Sequence, residues 1–279
     1  MRGREEWRAL QSADFAFVSY GKSGRTWLRL MLSRFYQQRY ALPEGAFLEY
    51  DNLHRRNREI PRVFFTHGNY LKDYTGHTDT PLLDFQPKPV ILLVRDPRDV
   101  AVSQYFQWQG RMRPHKKWLN RYPPHGSELT VGEFVLRHEA GLTRTIEFLA
   151  RWARTLPDLE RALVVHYEVM RREPLETLRS VLRFMGSQPE DALLEDAVAY
   201  AAFDNMRKLE EKGGVAASGK RLSPGRSGIT GTYKVRRGKV GGYRDYFDAA
   251  ELAQLEQRVA KGLGPAFGYA LPRGETTQE

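Results

Sequence analysis

Cysteine is absent from all 279 residues, so disulfides, thiolate metal sites and a cysteine nucleophile are excluded. Long apolar runs are absent too. The longest strongly apolar stretch is near VILLV at residues 90–94, far short of the ~20 residues of a membrane-spanning helix. The opening MRGREEWRAL is charged and lacks the apolar core of a secretory signal. No internal repeat and no low-complexity linker divides the chain. These absences, together with the lack of cysteine, lead to the expectation of a cytoplasmic protein. Acids are the minority charge: 34 Asp and Glu face 44 Lys and Arg, a formal net charge of +10 with pI ≈ 9.7. Such a balance favours an anionic partner, whether nucleic acid, a membrane surface or a multiply charged small molecule. From Gly213 to Gly242 there are seven Lys or Arg residues and no acid. What is present, 41% hydrophobic and 12% aromatic residues, suits a folded chain rather than a disordered one. The length fits one large α/β domain.

Patterning along the chain supports that class. DFAFVSY is an apolar run of strand length, followed by a Gly-Lys-Ser-Gly turn and a helix predicted from about Thr26 to Gln38. Trp27, Leu30, Met31 and Phe35 recur there at helical spacing. RVFFTH, ending at His67, reads as a second strand. PVILLVR, ending at Arg95, is apolar on both faces, as a buried parallel strand is. Asp96 and Pro97 then supply an N-cap and a first helical residue for a helix through Ser103 toward Trp108. The segment from Leu129 to Leu156 is predicted as one long helix, with Thr130 and Glu133 as a capping box. ALVVHY is predicted as another buried strand, with helices near 174–186 and 190–202, a long Gly- and Ser-rich loop at 212–232, and a last helix from Asp248 to about Lys261. Alternating strands and helices imply a single α/β domain with a mostly parallel central sheet flanked by helices. Ligands in such sheets sit beyond the carboxyl ends of the strands. Lys22, His67 and Arg95 all fall at such ends.

The first of these positions carries a P-loop-like strand–loop–helix. An ATP-binding loop needs G-x-x-x-x-G-K followed by Ser or Thr. Here Lys22 precedes Gly24, and no glycine lies five positions upstream of Lys22. The physical ingredients of anion binding persist. Gly21 and Gly24 let backbone N–H groups face an anion, the helix start adds its dipole, Lys22 and Arg25 bring charge, and Ser23 and Thr26 bring hydroxyl donors.

YGKSGRTW, residues 20–27, resembles the Y-P-K-S-G-T-T-W loop of the sulfotransferases that use 3′-phosphoadenosine 5′-phosphosulfate (PAPS). LLVRDPRDVAVSQYF resembles that family's arginine–helix–serine element, and VRRGKVGGYRDYF its C-terminal R-K-G-x-x-G-D-W-K-x-x-F element. VVHYEVM and AAFDNM fit the two intermediate nucleotide contacts, and PRVFFTHGNY resembles the P-R-x-x-K-T-H-L-P segment. The elements follow family order from residue 15 to about 258, so one sulfotransferase domain over residues 1–279 is expected. The resemblance implies that Lys22, Ser23, Gly24, Arg25 and Thr26 hold the 5′-phosphosulfate. It implies that Trp27 stacks on adenine with Phe203 opposite and Tyr167 at its edge. Arg95 and Ser103 would bind the 3′-phosphate, joined by Arg236, Arg237 and Gly238. His67 would be the general base, and Lys22 would neutralise the leaving bridging oxygen. PAPS is then the co-substrate, adenosine 3′,5′-bisphosphate (PAP) the product, and no metal is required. The basic stretch of residues 212–242 is expected to be mobile and to close over nucleotide.

Several positions depart from the family pattern. Gly21 replaces proline, Arg25 replaces the first threonine of the loop, and Phe65 stands where lysine precedes the histidine by two. Ala201 and Ala202 replace Thr-Ser, and Gly242-Tyr243 replaces Asp-Trp. The family's dimer motif is broken by Asp248, Ala249 and Ala253, so a monomer or a different dimer is expected. The acceptor is expected to be a small molecule offering a hydroxyl, or less favourably an amine, and the basic clusters Arg55-Arg56-Arg58 and Arg111 to Lys117 leave an anionic or carbohydrate acceptor open. Phe47, Tyr50, Tyr70, Tyr74, Phe106, Trp108 and Trp118 are candidates for an aromatic acceptor pocket and equally for core under long loops. Two other readings stand beside this one. One is a kinase with a divergent phosphate loop. The other is a non-catalytic nucleic-acid-binding protein, against which the scattered charge and lack of a recognition signature weigh.

Overall fold

Four short apolar segments build the sheet. The structure, a computed structural model, describes residues 2–68, 70–77, 82–211 and 238–270. In chain order come α1 (Arg2–Ser12), β1 (Phe15–Ser19), α2 (Arg25–Arg39), β2 (Val63–Thr66), α3 (Leu71–Thr75), α4 (Leu82–Phe85), β3 (Val90–Val94), α5 (Pro97–Gly110) and α6 (Pro114–Leu119). After a π-helical turn, Glu133–Arg137, follow α7 (Leu142–Thr155), β4 (Ala162–His166), α8 (Tyr167–Arg172), α9 (Pro174–Phe184), α10 (Asp191–Tyr200), α11 (Phe203–Glu211) and α12 (Ala249–Leu263). The fold is α/β, with strands in the order β2-β1-β3-β4, all parallel, flanked by helices.

The chain divides into two compact units, Met1–Val94 with Asp158–Gly238, and Arg95–Pro157 with Lys239–Glu279. The first holds the whole sheet. Every residue of β1 and β3 is buried, as expected for central parallel strands. Asp14 fixes the start of the β1–β2 pairing: its carboxylate accepts from the Arg62 backbone N–H (2.7 Å) and from the Arg62 guanidinium (3.0 Å). On α2, Leu28, Leu30, Met31, Leu32 and Phe35 are buried, while Trp27 is half-buried. Arg34 ties α2 to α10, paired with Asp196 at 2.6 Å and lying 4.7 Å over the Tyr200 ring.

In the second unit the core is aromatic. Trp108 of α5 stacks on Phe134 of the π-helical turn at 5.4 Å, and Tyr105 meets both rings. Gly262 of α12 lets that helix approach α7: a Cβ there would lie 2.4 Å from Ile146. Asp248 caps α12 in a reciprocal capping box with Glu251.

Two expectations are corrected. The single helix over 129–156 is interrupted. The Thr130–Glu133 capping box forms, but His138 turns extended (φ −88°, ψ 141°) and α7 restarts at Leu142. The break is tight at Gly141, where a Cβ would meet the Phe134 carbonyl at 2.3 Å. The second correction concerns β4, which is an edge strand with only Val165 fully buried. Periodicity cannot separate an edge strand from a central one when its residues are equally apolar. Helices α1, α3, α4, α6, α8 and α11 were not anticipated, and the long loop expected at 212–232 lies outside the described residues.

Candidate functional site

The turn from β1 into α2 has the backbone of an anion cradle. Lys22 and Gly24 both take left-handed conformations, φ 72° and φ 96°, which turns successive peptide N–H groups toward one side of the loop. Gly24 is the N-cap of α2, and among the described residues no side chain hydrogen-bonds to cap that helix end, where the positive end of the helix dipole favours an anion. The glycine is required twice over. Beyond its φ, a Cβ at residue 24 would sit 2.6 Å from Tyr167 Cδ2, 2.9 Å from Cε2 and 3.2 Å from Met170 Cε. Ser23 is buried, and the buried Ser19 Oγ has no hydrogen-bond partner among the described residues.

One strand away, His67 follows the end of β2. Its Nδ1 lies 2.6 Å from the Ser19 carbonyl oxygen and its Nε2 lies 2.7 Å from Arg25 Nη2. A carbonyl can only accept, so the network assigns the proton to Nδ1 and leaves Nε2 as the acceptor from Arg25. Arg25 is itself anchored, with Nη1 donating to the Thr66 carbonyl at 2.8 Å. The loop and the histidine are thus joined by direct hydrogen bonds rather than by proximity in sequence.

Trp27, one turn into α2, is oriented by its indole N–H, which donates to the Ala201 carbonyl at 2.8 Å. The Tyr167 ring meets it edge-on at 6.2 Å, and the Arg171 guanidinium of α8 lies 5.3 Å from the indole centroid. Sequence reasoning missed Arg171, because an arginine on a short helix carries no motif. Tyr167 walls the loop at Gly24. Phe203, at the start of α11, approaches Gly238: a Cβ at residue 238 would lie 2.9 Å from its ring. Gly238 has φ 61°. Arg236 and Arg237, and the basic stretch 212–237, lie outside the described residues.

The second unit holds Arg95 and Ser103. Asp96 caps α5 as expected, accepting from the Arg98 N–H at 2.9 Å. Arg95, the residue after β3, is 12% exposed and pairs with Asp99 at 3.5 Å. Ser103 is half-buried on α5. Asp99 is the organiser that sequence reading did not single out. Its carboxylate accepts from the Gly241 N–H and the Tyr243 N–H, each at 2.9 Å. Burial pushes the Asp99 carboxyl up, against the opposing pull of Arg95 and the two N–H donors. Tyr243, standing where the family has tryptophan, is buried and packs 4.8 Å from the Arg98 guanidinium, which pairs with Asp96 at 2.8 Å.

The structure accounts for another departure. Phe65, on β2, lies 4.2 Å from the Arg29 guanidinium, which also lies 4.7 Å from the Phe47 ring. Arg29 is buried and donates to the Leu48 carbonyl. A lysine at 65 would face that arginine, whereas a phenyl face attracts it. The acceptor-pocket candidates differ in their surroundings. Phe47 and Trp108 are core, Trp118 is 79% exposed, and Tyr74 packs on Trp7. Phe106 packs on Tyr246, and Tyr50 bonds Ser12.

An all-parallel α/β sheet flanked by helices, with a glycine-turned loop between β1 and α2, defines the fold class. A family model described as "Sulfotransferase domain" matches residues 12–265, and the chain belongs to that family. Mouse sulfotransferase 6B1 is 23% identical over 96% of this chain and 84% of its own length. Cytosolic sulfotransferase 13 of Arabidopsis thaliana is 25% identical over 91% of this chain and 78% of its own. Among solved structures, mouse sulfotransferase SULT7A1 complexed with PAP has a TM-score of 0.60 at 18% identity, covering 94% of this chain and 90% of that one. Retinol dehydratase in complex with retinol and PAP has a TM-score of 0.62 at 17% identity, covering 92% and 82%. Among the described residues, no helix is long and apolar enough to cross a membrane.

Proposed function

We propose that this chain, as one domain, transfers the sulfuryl group of PAPS to the hydroxyl of a small-molecule acceptor. The observation that carries the reading is the hydrogen-bonded series from the Ser19 carbonyl through His67 to Arg25, set beside a left-handed Lys22–Gly24 turn at the start of α2. Lys22, Ser23, Gly24, Arg25 and Thr26 hold the 5′-phosphosulfate. Trp27, Phe203 and Tyr167 take the adenine, with the Arg171 guanidinium on the indole adding positive charge beside it. Arg95, Ser103, Arg236, Arg237 and Gly238 take the 3′-phosphate, for which arginine forks are better suited than lysine.

His67, with its proton on Nδ1, offers Nε2 to the acceptor hydroxyl. The hydroxyl oxygen attacks sulfur in line, the bond from sulfur to the bridging phosphate oxygen breaks, and PAP leaves with the electron pair. Lys22 neutralises that developing charge. The remaining work is positioning, as in phosphoryl transfer. Retinol dehydratase has been solved with retinol and with androsterone beside PAP, so apolar alcohols are the first acceptors to screen. With its dimer motif broken, the chain acts as a monomer or through another surface.

The test is thermal shift with PAP, ATP and an oligonucleotide, followed by sulfate transfer from PAPS to a panel of hydroxyl compounds. Stabilisation by PAP over the other two is expected. Stabilisation by ATP but not PAP would favour the kinase reading, and by the oligonucleotide alone the nucleic-acid one.

A further inference from the structure

A base whose lone pair is already engaged cannot accept a proton, and in this protein the lone pair of His67 Nε2 is engaged by Arg25. The same guanidinium belongs to the first residue of α2, directly after Gly24 of the anion loop. Its other terminal nitrogen is fixed on the Thr66 carbonyl at 2.8 Å. Nη2 can therefore change partner by a small rotation while Nη1 stays anchored. A guanidinium bond to an anionic oxygen adds the attraction of opposite charges, which a bond to a neutral ring nitrogen lacks. An anionic oxygen brought to the loop thus outcompetes the neutral imidazole. Position 65, where a cation could otherwise assist, carries a phenyl ring that packs on Arg29.

We propose that Arg25 couples donor binding to the availability of the base: it holds His67 Nε2 when no donor is bound and turns Nη2 to a sulfuryl oxygen of bound PAPS. That releases Nε2 to take the acceptor hydroxyl's proton. The oxygen–sulfur bond to the acceptor forms as the sulfur–oxygen bond to the phosphate breaks, with Arg25 balancing the charge on the sulfuryl oxygens. Arg25 is then a sulfuryl-recognition residue and a positioning residue for the histidine. The inference rests on the sulfotransferase reading.

PAP lacks the sulfuryl group, and this separates the role of Arg25 from a merely structural one. In R25T the affinity for PAPS, measured by calorimetry without acceptor, is expected to fall at least about tenfold, or 1.4 kcal/mol. The affinity for PAP should change less than about threefold. The turnover number should fall at least tenfold, and R25K should recover part of it. In the wild-type protein, nitrogen-15 NMR of the histidines should show His67 with its proton on Nδ1, and its Nε2 resonance should move on adding PAPS but not PAP. This measurement decides the matter even if R25T does not fold. Equal weakening of PAP and PAPS in R25T, unchanged turnover, or an Nε2 resonance indifferent to PAPS would overturn the proposal while leaving a PAPS-dependent enzyme intact. A wild-type protein that binds neither nucleotide overturns the functional reading and this inference with it.

Discussion

Replacing Gly24 with alanine tests whether the loop is held as described. The residue sits at φ 96°, where an L side chain costs roughly 1–2 kcal/mol. Its new methyl would also press on Tyr167 at 2.6 and 2.9 Å and on Met170 at 3.2 Å. Relieving contacts that short displaces the Tyr167 ring or the loop, an overpacking cost of about 1–3 kcal/mol. Together the expected loss is about 2–5 kcal/mol, a large share of the roughly 5–15 kcal/mol that stabilises a typical domain. At about 2–4 °C per kcal/mol, the unfolding midpoint should drop by roughly 4–20 °C, and stabilisation by added PAP should shrink as the cradle opens. Scanning fluorimetry with and without PAP reads both effects. The steric part can be isolated. In Gly24→Ala combined with Tyr167→Ala, the two losses should fall short of additive by about 1–3 kcal/mol, because the clash is gone and the backbone strain remains. A midpoint within about 2 °C of wild type, with normal PAP stabilisation, would refute the argument from φ and close approach.

Three further outcomes are expected. His67→Ala should keep PAP stabilisation and lose turnover by about 10²–10⁴-fold, read in a PAPS transfer assay; near-normal turnover would place the base elsewhere. Asp99→Ala strips an acceptor from the Gly241 and Tyr243 N–H groups and should cost about 2–4 kcal/mol in chemical denaturation. It should also weaken PAP binding through an Arg95 that has lost its Asp99 partner, and a silent variant would deny Asp99 its organising role. Burial acts to raise the Asp14 carboxyl, but the hydrogen bonds and charge of Arg62 outweigh it and hold it below the usual range. Its contribution is therefore present above the unfolded-state value and lost as pH falls through the folded one. Asp14→Asn should be less stable than wild type at pH 7, and the two should converge in acid; a constant difference across that range would count against the pairing.

Much of the frame was legible because its signals are local. β1, β2, β3, α2, α5 and α12 lie within a few residues of expectation, since apolar runs, the Asp96-Pro97 start and the Asp248 cap act on the adjacent backbone. The break at His138–Gly141 was not legible, because a close approach of Gly141 to the Phe134 carbonyl leaves a helical residue pattern intact. Nor was the edge position of β4, which depends on which strand pairs with β3.

By itself the sequence determined the family, the fold class and the residue types of the anion loop and histidine. Those are properties of spacing along the chain, where Lys22 and Gly24 stand two residues apart in one turn. Only the tertiary structure decided what those residues do to each other. Parallel pairing of β1 with β2 brings the Ser19 carbonyl to His67 Nδ1, and the start of α2 brings Arg25 to Nε2 across 42 positions of chain. The same packing turned Phe65 from a missing cation into the partner of Arg29, and Asp99 from a helix-face acid into the anchor of Gly241 and Tyr243. Long-range contacts of this kind follow from register and packing, and no local pattern encodes them.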